Sequence, residues 1–463
     1  MSSFWRASVN VPRRIGGLQA AALEPRQLGD ALRALRDRRT IVRLIFVVYW
    51  LLIFEGALRK WVFPQYNKII FFDRDPVVLA IYYLAARSRI VSRSAWLTLG
   101  MALSVLILPA MLVQLATSGI GVTVLAYGWR NYFFYLPLAF VMAAALEADD
   151  LRRFVRQNCL VAIPMALLVY VQYLSPPTAF VNRGIDVHAF VFQVVTGVVR
   201  TTATFTFTAG YALYAASVFA IVLSTWMRPD LGRLLGRKVQ LAASFAAISM
   251  VALSGSRTVF ALVLIIVLAG LGGPLFLRGG SARLRAMAVP LGAVLLGGLV
   301  FLTVFHGAFH DLSMRERSAV AQEGSTTTRA LSMFTSVANV FGKAPLLGYG
   351  IGYGTNGGMA ASDFDTTNFR LAEDEWPRTY LELGPLYAVG YFTLRIGLVV
   401  SMFLAALRAA KASTDPLPLL LAGFIGITVL NGEMTMQGTI NGYAWLFVGF
   451  TLAAARVGSL ARR

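Results

Sequence analysis

The chain has 463 residues, 57% of them hydrophobic and 14% charged, with a formal net charge of +20. Its apolar residues gather into blocks of about 18 to 25, the length that crosses ~30 Å of hydrocarbon. That pattern excludes a soluble multidomain protein, whose helices would be apolar on one face only. The basic residues flank the blocks, where they set topology and meet anionic headgroups, so the charge does not point to nucleic acid.

In chain order, residues 1–40 carry "PRR" and "LRALRDRR" without an apolar core. They read as a basic cytoplasmic tail and not as a cleaved signal peptide. About twelve spans follow, at 41–64, 69–86, 94–117, 120–145, 157–175, 204–227, 239–256, 258–277, 286–306, 380–407, 416–431 and 440–456. The expected fold is therefore an all-α polytopic membrane protein. Nine spans make a membrane domain over 41–306, an outer loop takes 307–379, three more spans lie within 380–456, and 457–463 form a short tail. The even-numbered connections read "RSRIVSR", "EADDLRRFVR", "RPDLGRLLGRK", "RGGSARLR" and "RAAKASTD". Because Lys and Arg accumulate on the cytoplasmic side, both termini are expected there. The single cysteine, Cys159, falls inside the fifth span and reads as a small core residue.

The outer side has two long connections, 176–203 and 307–379. The second far exceeds the length of a passive loop and is expected to hold secondary structure and function. Within it "TTTRALSMFTSVANVFGKAPLLG" predicts a helix over 328–342, capped by Ser and Thr and stopped at Gly342 and Pro345. The next stretch, "GYGIGYGTNGG", has no preceding strand and is not a nucleotide loop. It reads as a flexible connection able to wrap a polar substrate.

Ionisable residues inside the apolar blocks each need a partner or a wet cavity, at about 3 kcal/mol apiece on insertion scales. Glu55 and Arg59 have i, i+4 spacing and are expected to pair. Arg395 is expected to neutralise a carboxylate such as Glu382 or Glu433, and Arg130 is a further ionisable residue inside or at the outer end of a span. Arg257, in "SGSRTVF", has no nearby acid and falls on the outer side with Arg183, Arg200, Arg329 and Arg378. Several guanidiniums converging on one cavity suit a diphosphate, since their planar forks bind phosphate oxygens in pairs. His306, His310 and Asp311 have a zinc-like spacing but lack a third strong ligand, so no metal is expected. His188 has no identifiable helper.

Four segments, in order, resemble the bacterial O-antigen polymerase and O-antigen ligase superfamily. "RTTATFTFTAGYALYAA" is similar to its segment in which an Arg precedes a threonine-phenylalanine pair and the next span. "SGSRTVF" resembles its serine-arginine motif, and "TTTRALSMFTSVANVFGKAPLLGYGIGYG" its outer-loop signature. "EDEWPRTYLELGPLYAVGYF" resembles the place where that loop re-enters the membrane. The resemblance covers about 200–400 and implies a GT-C-like, metal-independent and cofactor-free glycosyltransferase of the inner membrane, working on the periplasmic face. Its donor would be an oligosaccharide carried on undecaprenyl diphosphate, with membrane lipids around it and a polysaccharide chain-length regulator as an open partner.

By motif match, Arg257, Arg329 and Arg200 would hold the diphosphate, with Arg130, Arg183, Arg378 and Glu382 as further candidates. Ligases of the superfamily carry a histidine near the end of the outer loop, where this chain has Glu373, Asp374 and Glu375. Glu375 is then the candidate base, or these acids are solvated or pair with Arg370 and Arg378. Polymerase, ligase and a transporter or flippase of an anionic lipid or solute all stay open.

Overall fold

A computed structural model describes residues 6–7, 25–117, 119–185, 192–195, 197–276, 280–311, 313–314, 332–355, 358, 374–413 and 415–460. Where hydrocarbon replaces water, a backbone must satisfy its own hydrogen bonds, and runs of Leu, Ile, Val, Phe and Ala do so as helices. The main helices are α1 (Pro25–Ala57), α2 (Arg74–Ser88), α3 (Ala95–Thr117), α4 (Val122–Trp129), α5 (Leu136–Ala145), α6 (Ala148–Leu174), α7 (Thr208–Met227) and α8 (Pro229–Leu235). They continue with α9 (Arg237–Ala252), α10 (Arg257–Gly272), α11 (Gly280–Thr303), α12 (Glu375–Ser413), α13 (Leu417–Asn431) and α14 (Gly438–Leu460). The strands described are two short antiparallel pairs. The chain is thus an all-α polytopic protein.

Eight helices among the described residues are long and apolar enough to cross a bilayer, or nine if α8 and α9, bent by 100°, form one span. Each of the twelve segments expected from sequence is largely helical, but four fall short of an uninterrupted crossing, one of them α9 with 16 residues. α2 and α13 have 15 residues each. The segment 120–145 is divided into α4 and α5 by a π-helical turn, Arg130–Phe134. A second π turn, Leu58–Val62, ends α1. α12 starts at Glu375, before the expected re-entry, and contains a break at Gly384 (φ 69°) ahead of Pro385. Proline cannot donate to the helix ladder and glycine tolerates the left-handed region, so the helix turns there.

α7 and α14 lie at the centre, with 94% and 89% of their most apolar windows buried. α11 lies at the edge, with 6% buried, which leaves its leucines for lipid. Cys159 is buried.

The two ends of the bundle differ in chemistry. At one end, connections that are far apart in sequence join through arginine: Arg38 to Asp150 at 2.5 Å, Arg87 to Asp37 at 2.6 Å, and Arg228 to Asp230 and Asp415 at 2.5 Å each. Arg456 donates to the Leu146 carbonyl there as well. Apart from Arg456, the last residue of the final expected span, these residues belong to the connections or tails expected on one side. The opposite end gathers the C-termini of α1, α3, α6, α9 and α13 and the N-termini of α7, α10, α12 and α14, and it carries the candidate site.

Candidate functional site

The site is built around a non-helical segment, 200–205, lying between α6 and α7. Its backbone is held from four elements. Thr201 donates to the Leu253 carbonyl at the end of α9 (3.0 Å), and Thr204 to the Ile53 carbonyl of α1 (2.6 Å). Gln172 of α6 donates to the Ala203 carbonyl (3.1 Å) and accepts the Ala203 N–H (2.7 Å). The Arg200 N–H donates to the Phe192 carbonyl (2.8 Å), closing the hairpin Gln193–Val199. Gly56 allows the closest approach: a Cβ there would lie 2.3 Å from the Thr204 oxygen.

Arg200 lies against the turn that carries the serine-arginine motif. Gly255 has φ +56°, and a Cβ on it would meet Val194 at 2.3 Å and Arg200 Cγ at 3.7 Å. Ser254 shapes the turn by donating to the Val251 carbonyl (2.8 Å) and accepting the Ser256 N–H (3.3 Å). Arg257 follows as the first residue of α10, and no acid stands in that helix's first turn. Arg257 thus stands at the positive end of a helix dipole, which favours an anion. Both arginines are half-buried. Arg183, also half-buried, follows a 3₁₀ turn whose Val181 carbonyl accepts a second bond from Gln172 (2.9 Å). The fold thus places Arg200 against the turn that leads into Arg257, with Arg183 on a further outer connection.

Other candidates lie in a second, self-neutralised cluster. Arg378 pairs with Glu375 and stands 3.8 Å from Glu382, and Arg395 pairs with Glu375 at 2.6 Å. The Thr435 N–H also donates to Glu375 (3.2 Å). Both Glu375 oxygens are therefore engaged, and the carboxyl is 1% exposed, which is a poor setting for a base that must meet an acceptor hydroxyl. Arg395 pairs with Glu375 and not with Glu382 or Glu433, the partners anticipated from sequence.

Glu382 has a role that the sequence reading missed. It accepts the N–H groups of Gly352 and Gly354 at 2.9 Å each and the Tyr132 hydroxyl at 2.9 Å. The glycine stretch is thus a docked turn on a buried carboxylate over its described part, and not a loose connection. Gly352 (φ +87°) touches Gly128 of α4 so closely that a Cβ on Gly352 would lie 2.6 Å from the Gly128 Cα.

Arg130 is bidentate to Asp75, at 2.6 and 2.8 Å, among the rings of Phe71, Phe72, Tyr127 and Tyr135. Glu55 pairs with Arg59 (2.8 Å), as the spacing predicts, and also with Arg74 (2.9 Å). The predicted helix 328–342 is represented by helical turns over 332–340 that end before Gly342 (φ +76°). Arg329, Arg370, Glu373 and His188 lie outside the described residues. Asp311 accepts from Tyr173 (2.9 Å), with His310 3.7 Å away. Among the described residues no group of three or more His, Cys, Asp or Glu could hold a metal.

Comparison with protein-family models and with curated proteins returns no match for this chain.

Proposed function

We propose that the protein is an inner-membrane glycosyltransferase that polymerises oligosaccharide repeat units carried on undecaprenyl diphosphate, with its site at the periplasmic face. The observation that carries this reading is the packing of Arg200 against the Gly255 turn, two residues before Arg257 at the head of α10. The two segments whose motifs resemble the O-antigen polymerase and ligase superfamily are thereby neighbours, although more than fifty residues separate them. The arrangement of about twelve helical segments and the assignment of the arginine-paired end to the cytoplasm belong to the same proposal.

In this reading an acceptor hydroxyl attacks the anomeric carbon of the donor sugar, and its proton passes to water at the membrane face. The bond from that carbon to the diphosphate oxygen breaks, and the lipid diphosphate leaves with increased negative charge. Fixed guanidiniums and a helix N-terminus in a low-dielectric setting stabilise that charge as it develops. Arg200 and Arg257 take this role, and Arg329 and Arg183 are further members of the set. The base is not Glu375, whose oxygens are held by Arg378 and Arg395.

The assay is incubation of the purified chain in liposomes with undecaprenyl-diphosphate-linked oligosaccharide. Lengthening of the lipid-linked glycan supports polymerisation. Transfer only to a different lipid acceptor supports a ligase, and movement of the intact lipid across the bilayer without glycosidic bond formation supports a flippase.

A further inference from the structure

Lys60 is buried, 1% exposed, in the π turn Leu58–Val62. Its ammonium donates to the Thr202 hydroxyl (3.1 Å) and the Ala203 carbonyl (2.8 Å), and it stands 4.6 Å from the Trp61 ring. Among the described residues no carboxylate pairs with it, since Glu55, nearby on the same helix, is held by Arg59 and Arg74. A buried ammonium with only neutral acceptors is an expensive choice where a neutral donor would serve. π turns insert an extra residue into a helix, persist at a cost and recur at functional sites.

The backbone that Lys60 grips is itself unusual. Ala203 has φ +48°, a left-handed conformation that a residue with a Cβ rarely adopts. Such strain persists only where the surroundings over-determine it. Here Lys60 and Gln172 both bond the Ala203 carbonyl, and Gln172 also accepts its N–H. The bend sits three residues after Arg200, so it sets how the segment runs toward Gly255 and Arg257.

We infer that Lys60 is a positioning residue of the anion site: it clamps Thr202 and the left-handed Ala203, holding Arg200 against the Gly255 turn. The inference rests on the diphosphate reading above and assigns a residue outside the motifs that suggested it. Lys60 does not touch the ligand, so its effect passes through Arg200.

The test is equilibrium binding of undecaprenyl diphosphate to the full chain in nanodiscs, with the thermal midpoint of each variant measured alongside. Lys60→Met is expected to lower affinity roughly tenfold, and to have no further effect in an Arg200→Ala background, because the residue it positions is gone. Where Lys60→Met does not yield folded protein, Thr202→Val removes one clamped acceptor. It is expected to give a smaller loss of affinity, again absent in the Arg200→Ala background. Unchanged affinity, or losses that simply add in the double variant, would overturn the inference. If Arg257→Ala weakens binding while Lys60→Met and Thr202→Val do not, the inference fails and the diphosphate reading stands. If the unmutated chain does not bind the lipid, both fall.

Discussion

The Arg395 guanidinium lies 2.6 Å from the Glu375 carboxylate, and neither side chain is exposed. Arg378 holds the other oxygen of the same carboxylate. Breaking a buried pair leaves a charge without compensation, which costs about 3–5 kcal/mol. Glu375→Gln is therefore expected to lower the thermal midpoint in detergent strongly, and Arg395→Met likewise. A catalytic base would behave differently: Glu375→Gln would then abolish glycan extension with the midpoint unchanged.

The glycine turn makes a steric prediction. A Cβ on Gly352 would meet the Val124 oxygen at 2.5 Å, and one on Gly128 would meet the Gly352 nitrogen at 2.5 Å. Backbone on both sides leaves no flexible side chain to yield. Gly352→Ala and Gly128→Ala should each reduce the yield of monodisperse protein and lower its midpoint. Gly297 of α11 has nothing within 4 Å of its Cβ position, so Gly297→Ala is the control. It should be neutral or stabilise by about 0.5–1 kcal/mol through its helix propensity.

Arg130 and Asp75 should behave as one unit. Asp75→Asn and Arg130→Gln are each expected to destabilise, and the double variant to lose less than the sum, with a coupling of about 1–3 kcal/mol. Additive losses would show that the pair contributes separately and reopen Arg130 as a ligand-binding residue.

Sidedness can be read with thiols. Cys159 is the single cysteine and is buried, so a membrane-impermeant maleimide should leave the unmodified chain unlabelled in intact cells. Thr178→Cys, at an exposed position beyond α6, should label from the periplasm. Arg152→Cys, exposed in the first turns of α6, should label only after the inner membrane is opened. The reverse pattern would invert the proposed orientation.

Local features of the fold were legible in the sequence, and long-range pairings were not. Apolar blocks located the helices because hydrocarbon allows a backbone few alternatives. The i, i+4 spacing of Glu55 and Arg59 and the helix stop before Gly342 are equally local. The grouping of the basic connections at one end was legible too, since alternating spans dictate it. The partners of Arg130 and Arg395 lie 55 and 20 residues away, and spacing carries no information at those separations. The π turn that divides 120–145 carries Arg130 and Asn131, which bond to Asp75 and Thr435, contacts that no hydropathy window reports. Glu382 was noted as an ionisable candidate, but its bonds to the glycine turn depend on backbone N–H groups, which every residue type except proline carries. Lys60 carries no signal in the sequence, because its significance lies in the backbone it holds.

The most direct test of the account is extension of undecaprenyl-diphosphate oligosaccharide in liposomes by Arg257→Ala and Arg200→Ala, each first shown to insert and to keep its thermal midpoint. The predicted result is a loss of extension of at least about a hundredfold in each, the scale on which a fixed electrostatic contact to a leaving group acts. Full extension by both variants would contradict a diphosphate site at the Gly255 turn.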